Sequence, residues 1–512
     1  MTAPLEHPSR FAAEAPDRPA VIMGGTGQVL TYGELEARSR RVGHLLRSFG
    51  LETGGTVAVL LENRPEFFEV VWGALRTGLH VTPINWHLAP DEAAYIVTDS
   101  EAPVLIASAA LGDVVGELAA MGGTLAGRIA VGGDLPGFAG YAESLAAQPA
   151  TPPAGECEGS WMFYSSGTTG RPKGVKPSQV GGDLGAATGF VMLVKGLYGA
   201  GEDSVYLSPA PLYHAAPAGW TTAMHRIGAT TVVMDRFDPI AVLAAIERHR
   251  VTHVQFVPTH LVRLLKLPAE VRARYDLSSL RYVIHAAAPC PPEVKRAALD
   301  WLGPIVHEYY SGSEGAGFCA IGPDEWLAHP GSVGKSLLGS AHIVGADGVE
   351  LPPGEEGEVW FESPNRFEYH GEAAKTAVAF DERGWTTLGD MGRLDEDNYL
   401  YLTDRVSNMI ITGGVNVYPR EVEDALALHP AVADVAVIGV PHPDMGEAVR
   451  AVVQPASAGP VDEAATADEL IAFCRERIAH FKCPTSVVFV EALPRLPSGK
   501  LAKRLLPDEV RR

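Results

Sequence analysis

Apolar and polar positions divide the chain into short buried runs separated by stretches of helical period. Ala20-Val-Ile-Met23 and Val29-Leu30 flank Gly24-Gly-Thr-Gly27, which predicts a hairpin turn rather than a nucleotide loop. Thr31-Tyr-Gly-Glu34 matches a capping box and opens a predicted helix through Leu46. Thr56-Val-Ala-Val-Leu-Leu61 reads as a buried strand, residues 65–76 as a helix and His80-Val-Thr-Pro-Ile84 as another strand. Strand-helix-strand alternation of this kind predicts a layered α/β fold with parallel pairing.

A second α/β run follows. Val205-Tyr-Leu-Ser-Pro-Ala-Pro-Leu-Tyr-His214 predicts a strand ending on a histidine, and residues 230–234, 252–257 and 281–284 are further strands between helices. From Gly331 to Tyr401 the texture changes to short strands and Gly/Pro turns, a small β-subdomain. Beyond Asp404-Arg405 come Met409-Ile-Ile, a helix over 419–428 with Pro at its start, strands at 433–440 and 448–454, a helix opened by Thr466-Ala-Asp-Glu469, and a strand at 486–490. That β-α-β-β-α-β unit is able to fold by itself. The expected division is a large N-terminal domain, 1–404, and a small mobile α+β C-terminal domain, 405–512.

Length supports the division, because 512 residues exceed what one hydrophobic core usually holds. Forty-one Lys and Arg against 62 Asp and Glu leave a net charge of −21, which argues against nucleic acid and anionic membrane as partners. No apolar run reaches membrane-spanning length, and the start, Met1-Thr-Ala-Pro-Leu-Glu-His-Pro, is too polar for a signal peptide; a soluble cytoplasmic protein is expected. Five scattered cysteines without a Cys-x-x-Cys pair predict idle thiols rather than zinc or disulfides.

The densest chemistry is Tyr164-Ser-Ser-Gly-Thr-Thr-Gly-Arg-Pro-Lys-Gly-Val175, following the apolar run Trp161-Met162-Phe163 read as a buried strand. Glycines let backbone N–H groups close on an anion, hydroxyls add donors and Lys173 supplies a point charge, so the stretch predicts a phosphate loop. It is not a Walker A loop, since Gly-Lys is not followed by Ser or Thr.

Ser165-Ser166-Gly167-Thr168-Thr169-Gly170-x-Pro-Lys173-Gly174 resembles the signature of the adenylate-forming enzymes: acyl-CoA synthetases, carrier-loading adenylation domains and luciferases. The likeness runs from about Leu30 to Arg504. The resemblance implies ATP, Mg²⁺ and coenzyme A as reactants, with a carboxylic acid activated as its adenylate. It implies Glu314, in Tyr310-Ser-Gly312-Ser313-Glu314-Gly315, and Thr169 as Mg²⁺ ligands, Tyr310, Ser313, Ala287 and Ala288 around the nucleotide, and Asp390 with Arg405 at the ribose. Ser311, Ser313 and Leu388 stand where the family has Gly, Thr and Thr. Lys500, in Leu496-Pro-Ser-Gly-Lys500, matches the lysine that touches the reacting carboxylate and α-phosphate. His214 after Pro-Leu-Tyr, with His285, Ala286, Gly312 and Gly315, corresponds to the acyl pocket, and Gly413 and Gly414, with Arg236 at a CoA phosphate, to the thiol side. Ala286 is expected to narrow the tunnel against long straight chains, and a hinge is expected near Ser407.

The leading expectation is an AMP-forming acid:CoA ligase for a bulky or medium-size acid, the alternative a stand-alone adenylation enzyme loading a carrier-protein thiol. A serine hydrolase is disfavoured, because Ser311-Gly-Ser-Glu-Gly315 is not a Gly-x-Ser-x-Gly elbow. The sequence leaves the acid and the oligomeric state open, a homodimer included.

Overall fold

The computed structural model describes residues 5–511 apart from 121–124, 166–171, 178–179, 187, 289, 406–409, 413–414, 443–444, 457–461 and 496–500. Two large sheets form the N-terminal part. The first has six parallel strands, ordered Ala139–Gly140, Gly127–Val131, Val104–Ser108, Thr56–Leu60, His80–Pro83, Ser160–Trp161. The second has nine, ordered Lys335–Leu338, Phe318–Ile321, Val306–Ser311, Tyr282–His285, His253–Phe256, Val205–Ser208, Thr230–Val233, Pro19–Met23, Val29–Thr31. Its interior is parallel and its edges antiparallel. The central strands Thr56–Leu60, Val104–Ser108 and His253–Phe256 are buried at every position. That is what a parallel sheet covered on both faces demands, and it is why their sequences are continuous rather than alternating.

Helices Tyr32–Ser48 and Pro65–Leu75 pack between the sheets. Their Leu35, Val42, Phe68 and Trp72 share one core with Val57 and Val81 of the first sheet and Val21 and Val233 of the second. The predicted capping box is present: Glu34 N–H donates to Thr31 Oγ1 at 3.2 Å and Thr31 N–H to Glu34 Oε2 at 2.9 Å. Buried Arg76 ties this layer together, donating to both Glu36 oxygens at 2.9 and 3.0 Å and to Glu156 at 2.6 Å.

Several boundaries differ from the sequence reading. Residues 161–163 are not one strand: Ser160–Trp161 extends the six-stranded sheet, while Phe163–Ser165 belongs to a separate antiparallel sheet with Lys173–Pro177 and Phe367–Tyr369. The chain changes sheets at Met162, whose N–H still donates to Val81 O at 2.9 Å. The strand from Val205 stops at Ser208, because Pro209 and Pro211 cannot donate to a ladder, and His214 instead takes the N-cap of helix Ala215–Arg226. Lys335–Leu338 joins the nine-stranded sheet, so the small β-subdomain begins with Ser340–Val344, followed by Gly357–Glu362, Thr386–Leu394 and Leu400–Arg405.

The C-terminal unit is a five-stranded sheet in which Gly446–Pro455 pairs with Ile410–Thr412, Val432–His442 and Ser486–Phe489, with Val415–Val417 at the edge. Its helix at 463–475 opens three residues ahead of Thr466, because Asp462 accepts from Ala465 N–H at 3.2 Å and caps it first. Arg420 donates to Leu402 O at 2.9 Å and Lys266 to Val432 O at 3.0 Å, two contacts between this unit and the rest of the chain in this conformation. All five cysteines are free. No helix among the described residues is long and apolar enough to cross a membrane.

Candidate functional site

A cavity of about 2350 Å³ lies at the carboxyl ends of the parallel strands, where open α/β sheets place their ligands. Lys173, His214, Arg236, Ala287, Ala288, Tyr310, Glu314 and Asp390 all line it, and so do Gly312, Ser313 and Gly315. Leu501, Ala502 and Lys503, next to the predicted Lys500, lie on the same wall. Residues 166–170 with Thr169, Ser407, Gly413, Gly414 and Lys500 lie outside the described residues, as do the side chains of Ser165 and Arg405.

The stretch expected to be a phosphate loop is flanked by a ladder in which Ser165 and Lys173 are register partners. The Lys173 ammonium sits 4.8 Å from the centroid of the Tyr369 ring, and the Tyr369 hydroxyl donates to Glu314 Oε1 at 3.3 Å. Tyr369 therefore links the loop lysine to the acidic residue, a role the sequence reading missed. Its only signal was a position in Phe367–Tyr369, a strand whose partner becomes visible only once Val175 and Tyr369 are in register. Burial, then the Glu314 charge, raises the Tyr369 hydroxyl well above its usual value, so it stays a donor.

Glu314 sits on a tight turn closed by Gly315 N–H donating to Gly312 O at 3.1 Å. Gly315 has φ +64°, a conformation that favours glycine, and a Cβ at Gly312 would stand 2.7 Å from the end of the Leu388 side chain, which would have to move aside. Ser313 Oγ donates to Glu314 Oε2 at 3.2 Å. A half-buried carboxylate steadied by two hydroxyls is a hard oxygen donor that suits Mg²⁺, an ion that keeps most of its water. Glu314 is the described residue that would hold it; the ion would neutralise phosphate charge.

The Tyr310 hydroxyl donates to Asp390 Oδ2 at 2.6 Å, and Asp390 faces Arg405 in the ladder of the small β-subdomain. Ala287 has φ +71°, a conformation that costs a non-glycine residue about 1–2 kcal/mol, and it stands exposed on the cavity wall beside Ala288.

His285 and Ala286 require correction. Neither is on the cavity wall. Both are buried: His285 is the last residue of the strand Tyr282–His285, and Ala286 follows it. Ala286 belongs to a buried cluster with Trp220, Ile284 and Tyr309, so any influence on the tunnel's width would pass through neighbours such as Tyr309, which lines the cavity. His285 Nε2 lies 3.6 Å from Glu308 Oε2, to which Lys295 Nζ donates at 2.6 Å. Burial pushes His285 down to about 4. It would raise Glu308, but Lys295 and His285 outweigh it and hold the carboxylate below its ordinary value.

Arg236 has two cationic neighbours on the cavity wall that were not foreseen, Arg263 and Lys266. Arg263 lies 4.8 Å over the Phe237 ring, which stacks on His260 at 3.9 Å. Helix Pro258–Leu265 carries Arg263 to the ring of Phe237, the residue after Arg236, which no local pattern around residue 236 announces.

The chain matches the AMP-binding enzyme family over residues 9–369 and the AMP-binding enzyme C-terminal domain over residues 421–500. It is 36% identical to a feruloyl-CoA synthase of an Amycolatopsis species, covering 99% of this chain and 98% of that protein. It is 32% identical to the long-chain-fatty-acid–CoA ligase FadD13 of Mycobacterium tuberculosis, covering 97% and 96%. The amide bond synthetase McbA of Marinactinospora thermotolerans superposes with a TM-score of 0.80 at 30% identity, over 98% of this chain and 99% of that one. With both parts of the family model matched and relatives aligned end to end, the chain belongs to the AMP-binding, adenylate-forming enzymes, on their acyl-CoA synthetase branch.

Proposed function

We propose that this protein is an ATP-dependent acid:CoA ligase for a bulky or medium-size carboxylic acid. The observation that carries this reading is the pairing, through Tyr369, of a phosphate-loop lysine with a metal-type carboxylate on one cavity wall.

A carboxylate is a poor electrophile, and attack on the α-phosphorus of ATP turns it into an acyl-adenylate with loss of pyrophosphate. That step needs charge stabilisation more than covalent catalysis. Lys173 would hold polyphosphate, Lys500 would act at the α-phosphate and the reacting carboxylate, and Tyr310 with Asp390 and Arg405 would seat adenine and ribose. In the second half-reaction the thiol attacks the acyl carbon and AMP leaves. Gly413 and Gly414 would let the pantetheine arm approach, and Arg236, Arg263 and Lys266 form a cationic stretch suited to CoA phosphates. Residues 1–404 would then bind ATP and acid while 405–512 reorients between the half-reactions near Ser407.

Size preference is assigned to the ring side chains that line the cavity, among them Trp161, Phe163, Phe190 and Tyr213. Such a surface favours flat or fused rings over a single alkyl chain. Pyrophosphate release screened over aryl, alicyclic and straight-chain acids, followed by mass detection of the thioester, tests the reading. A thioester formed with CoA supports it; product only on a carrier-protein thiol would favour the alternative. Higher kcat/KM for palmitate than for every ring acid would remove the size assignment.

A further inference from the structure

One stretch of the cavity wall carries three buried polar atoms that have no hydrogen-bond partner in the protein: Trp86 Nε1, the Tyr213 hydroxyl and His214 Nε2. Their rings stand together. Trp86 and Tyr213 meet edge to face at 6.3 Å, and Tyr213 and His214 lie 4.4 Å apart. Buried polar groups in folded proteins are paired in the large majority of cases, so three orphans side by side on one wall mark a place that a ligand completes.

The kind of ligand follows from the three groups. An indole N–H can only donate. Burial alone raises the Tyr213 hydroxyl, so it keeps its proton and can donate too. Burial pushes His214 down to about 3, so its imidazole is neutral at physiological pH and its free nitrogen can donate or accept, according to tautomer. Among the described residues, no charged side chain acts on Tyr213, and only His87 acts on His214. Among the described residues, an ammonium would find no anion beside these three atoms, and a carboxylate or phosphate no cation. A neutral oxygen finds two donors and a third group able to match it.

We propose that Trp86, Tyr213 and His214 form an uncharged hydrogen-bonding station for a neutral oxygen on the acid. The substrate is then a ring acid bearing a keto, hydroxyl or ether oxygen rather than a bare hydrocarbon acid. This rests on the ligase reading above. A hydrocarbon acid would displace water from the station and leave its groups unpaired, which lowers kcat/KM by roughly tenfold or more.

The test compares kcat/KM for pyrophosphate release on matched acids differing by one oxygen. Suitable pairs are 4-hydroxyphenylpropenoic with phenylpropenoic acid, 4-oxocyclohexylacetic with cyclohexylacetic acid, and fused-ring keto acids with their deoxygenated parents. At least one oxygen-bearing member should exceed its partner by about 10–10²-fold, and that ratio should fall to within about threefold in Trp86→Phe and Tyr213→Phe. Because both acids meet the same preparation, partial misfolding cancels from the ratio. Ratios near one for every pair in the wild type would overturn the proposal. So would a preference that survives both substitutions, or variants that depress the two members equally, which would place the donors on the shared carboxyl group. If no acid of any pair released pyrophosphate, the ligase reading itself would fail and the station would lose its ligand with it.

Discussion

Replacing Lys295 by Met isolates the charge cluster beneath the cavity. Lys295 and Glu308 are both buried and in contact at 2.6 Å, with His285 Nε2 3.6 Å from the same oxygen. Removing one partner of such a pair leaves an uncompensated charge and destabilises by about 3–5 kcal/mol, whereas replacing both by apolar groups is often close to neutral. Lys295→Met should therefore lose about 3–5 kcal/mol in urea denaturation followed by tryptophan fluorescence, and Lys295→Met/Glu308→Leu should recover most of that loss. The sign of the pH effect follows. Without Lys295 the folded protein gains affinity for a proton at Glu308 or His285, and the unfolded chain near neutral pH does not match it. The folded state then binds more protons, so the deficit should shrink as pH falls from 8 towards 6. Because Glu308 lies in Val306–Ser311, the strand that delivers Tyr310, the KM for ATP should rise in the single variant and return towards wild type in the double. A deficit under about 1 kcal/mol, or a double variant less stable than either single one, would refute the reasoning.

Three further outcomes are expected. Lys500→Ala should lower adenylation by roughly 10²–10³ yet spare thioester formation from supplied acyl-adenylate, and equal loss in both steps would end that division of labour. Ser407→Pro, which fixes φ near about −65° and removes an N–H, should leave one half-reaction nearly intact and suppress the other; wild-type rates in separate assays of both would move the hinge elsewhere. Burial raises Asp424 to about 6, against the pull of Arg420, so the folded state prefers its neutral form; the stabilisation this brings is complete below the ordinary value and is lost as pH rises through about 6. Asp424→Asn should flatten the stability profile between about pH 4 and 6, and an unchanged slope there would show that another group sets it.

What the sequence revealed and what it hid follow different physics. The buried parallel strands, the capping box at Thr31 and the Pro-initiated helix Pro419–Ala427 were legible because each is a local pattern of burial period or end chemistry. The motif residues Lys173, Glu314, Tyr310 and Asp390 were legible because unusual residue types are clustered at fixed spacing, and the fold brings them to one cavity. Tyr369 and Arg263 were not, since each matters through a neighbour far away in sequence. The burial of His285 and Ala286 was hidden for a related reason: a motif gives the order of residues, but not which of them the surrounding layers cover. The break at Met162 was hidden because an apolar run reads the same whether one sheet or two receive it.

The small sheet of Phe163–Ser165, Lys173–Pro177 and Phe367–Tyr369 has a practical consequence for anyone rebuilding the enzyme. Ser165 stands opposite Lys173 and Val175 opposite Tyr369, so positions 165 and 173 are held by a ladder. A graft that keeps both of those positions keeps the register of the ladder. A slip of one residue in that ladder has the opposite effect: it would turn Lys173 to the other face of the sheet and part it from the Tyr369 ring in one move. Grafts of a foreign loop should therefore be cut inside the clamped pair and never through the strands that hold it.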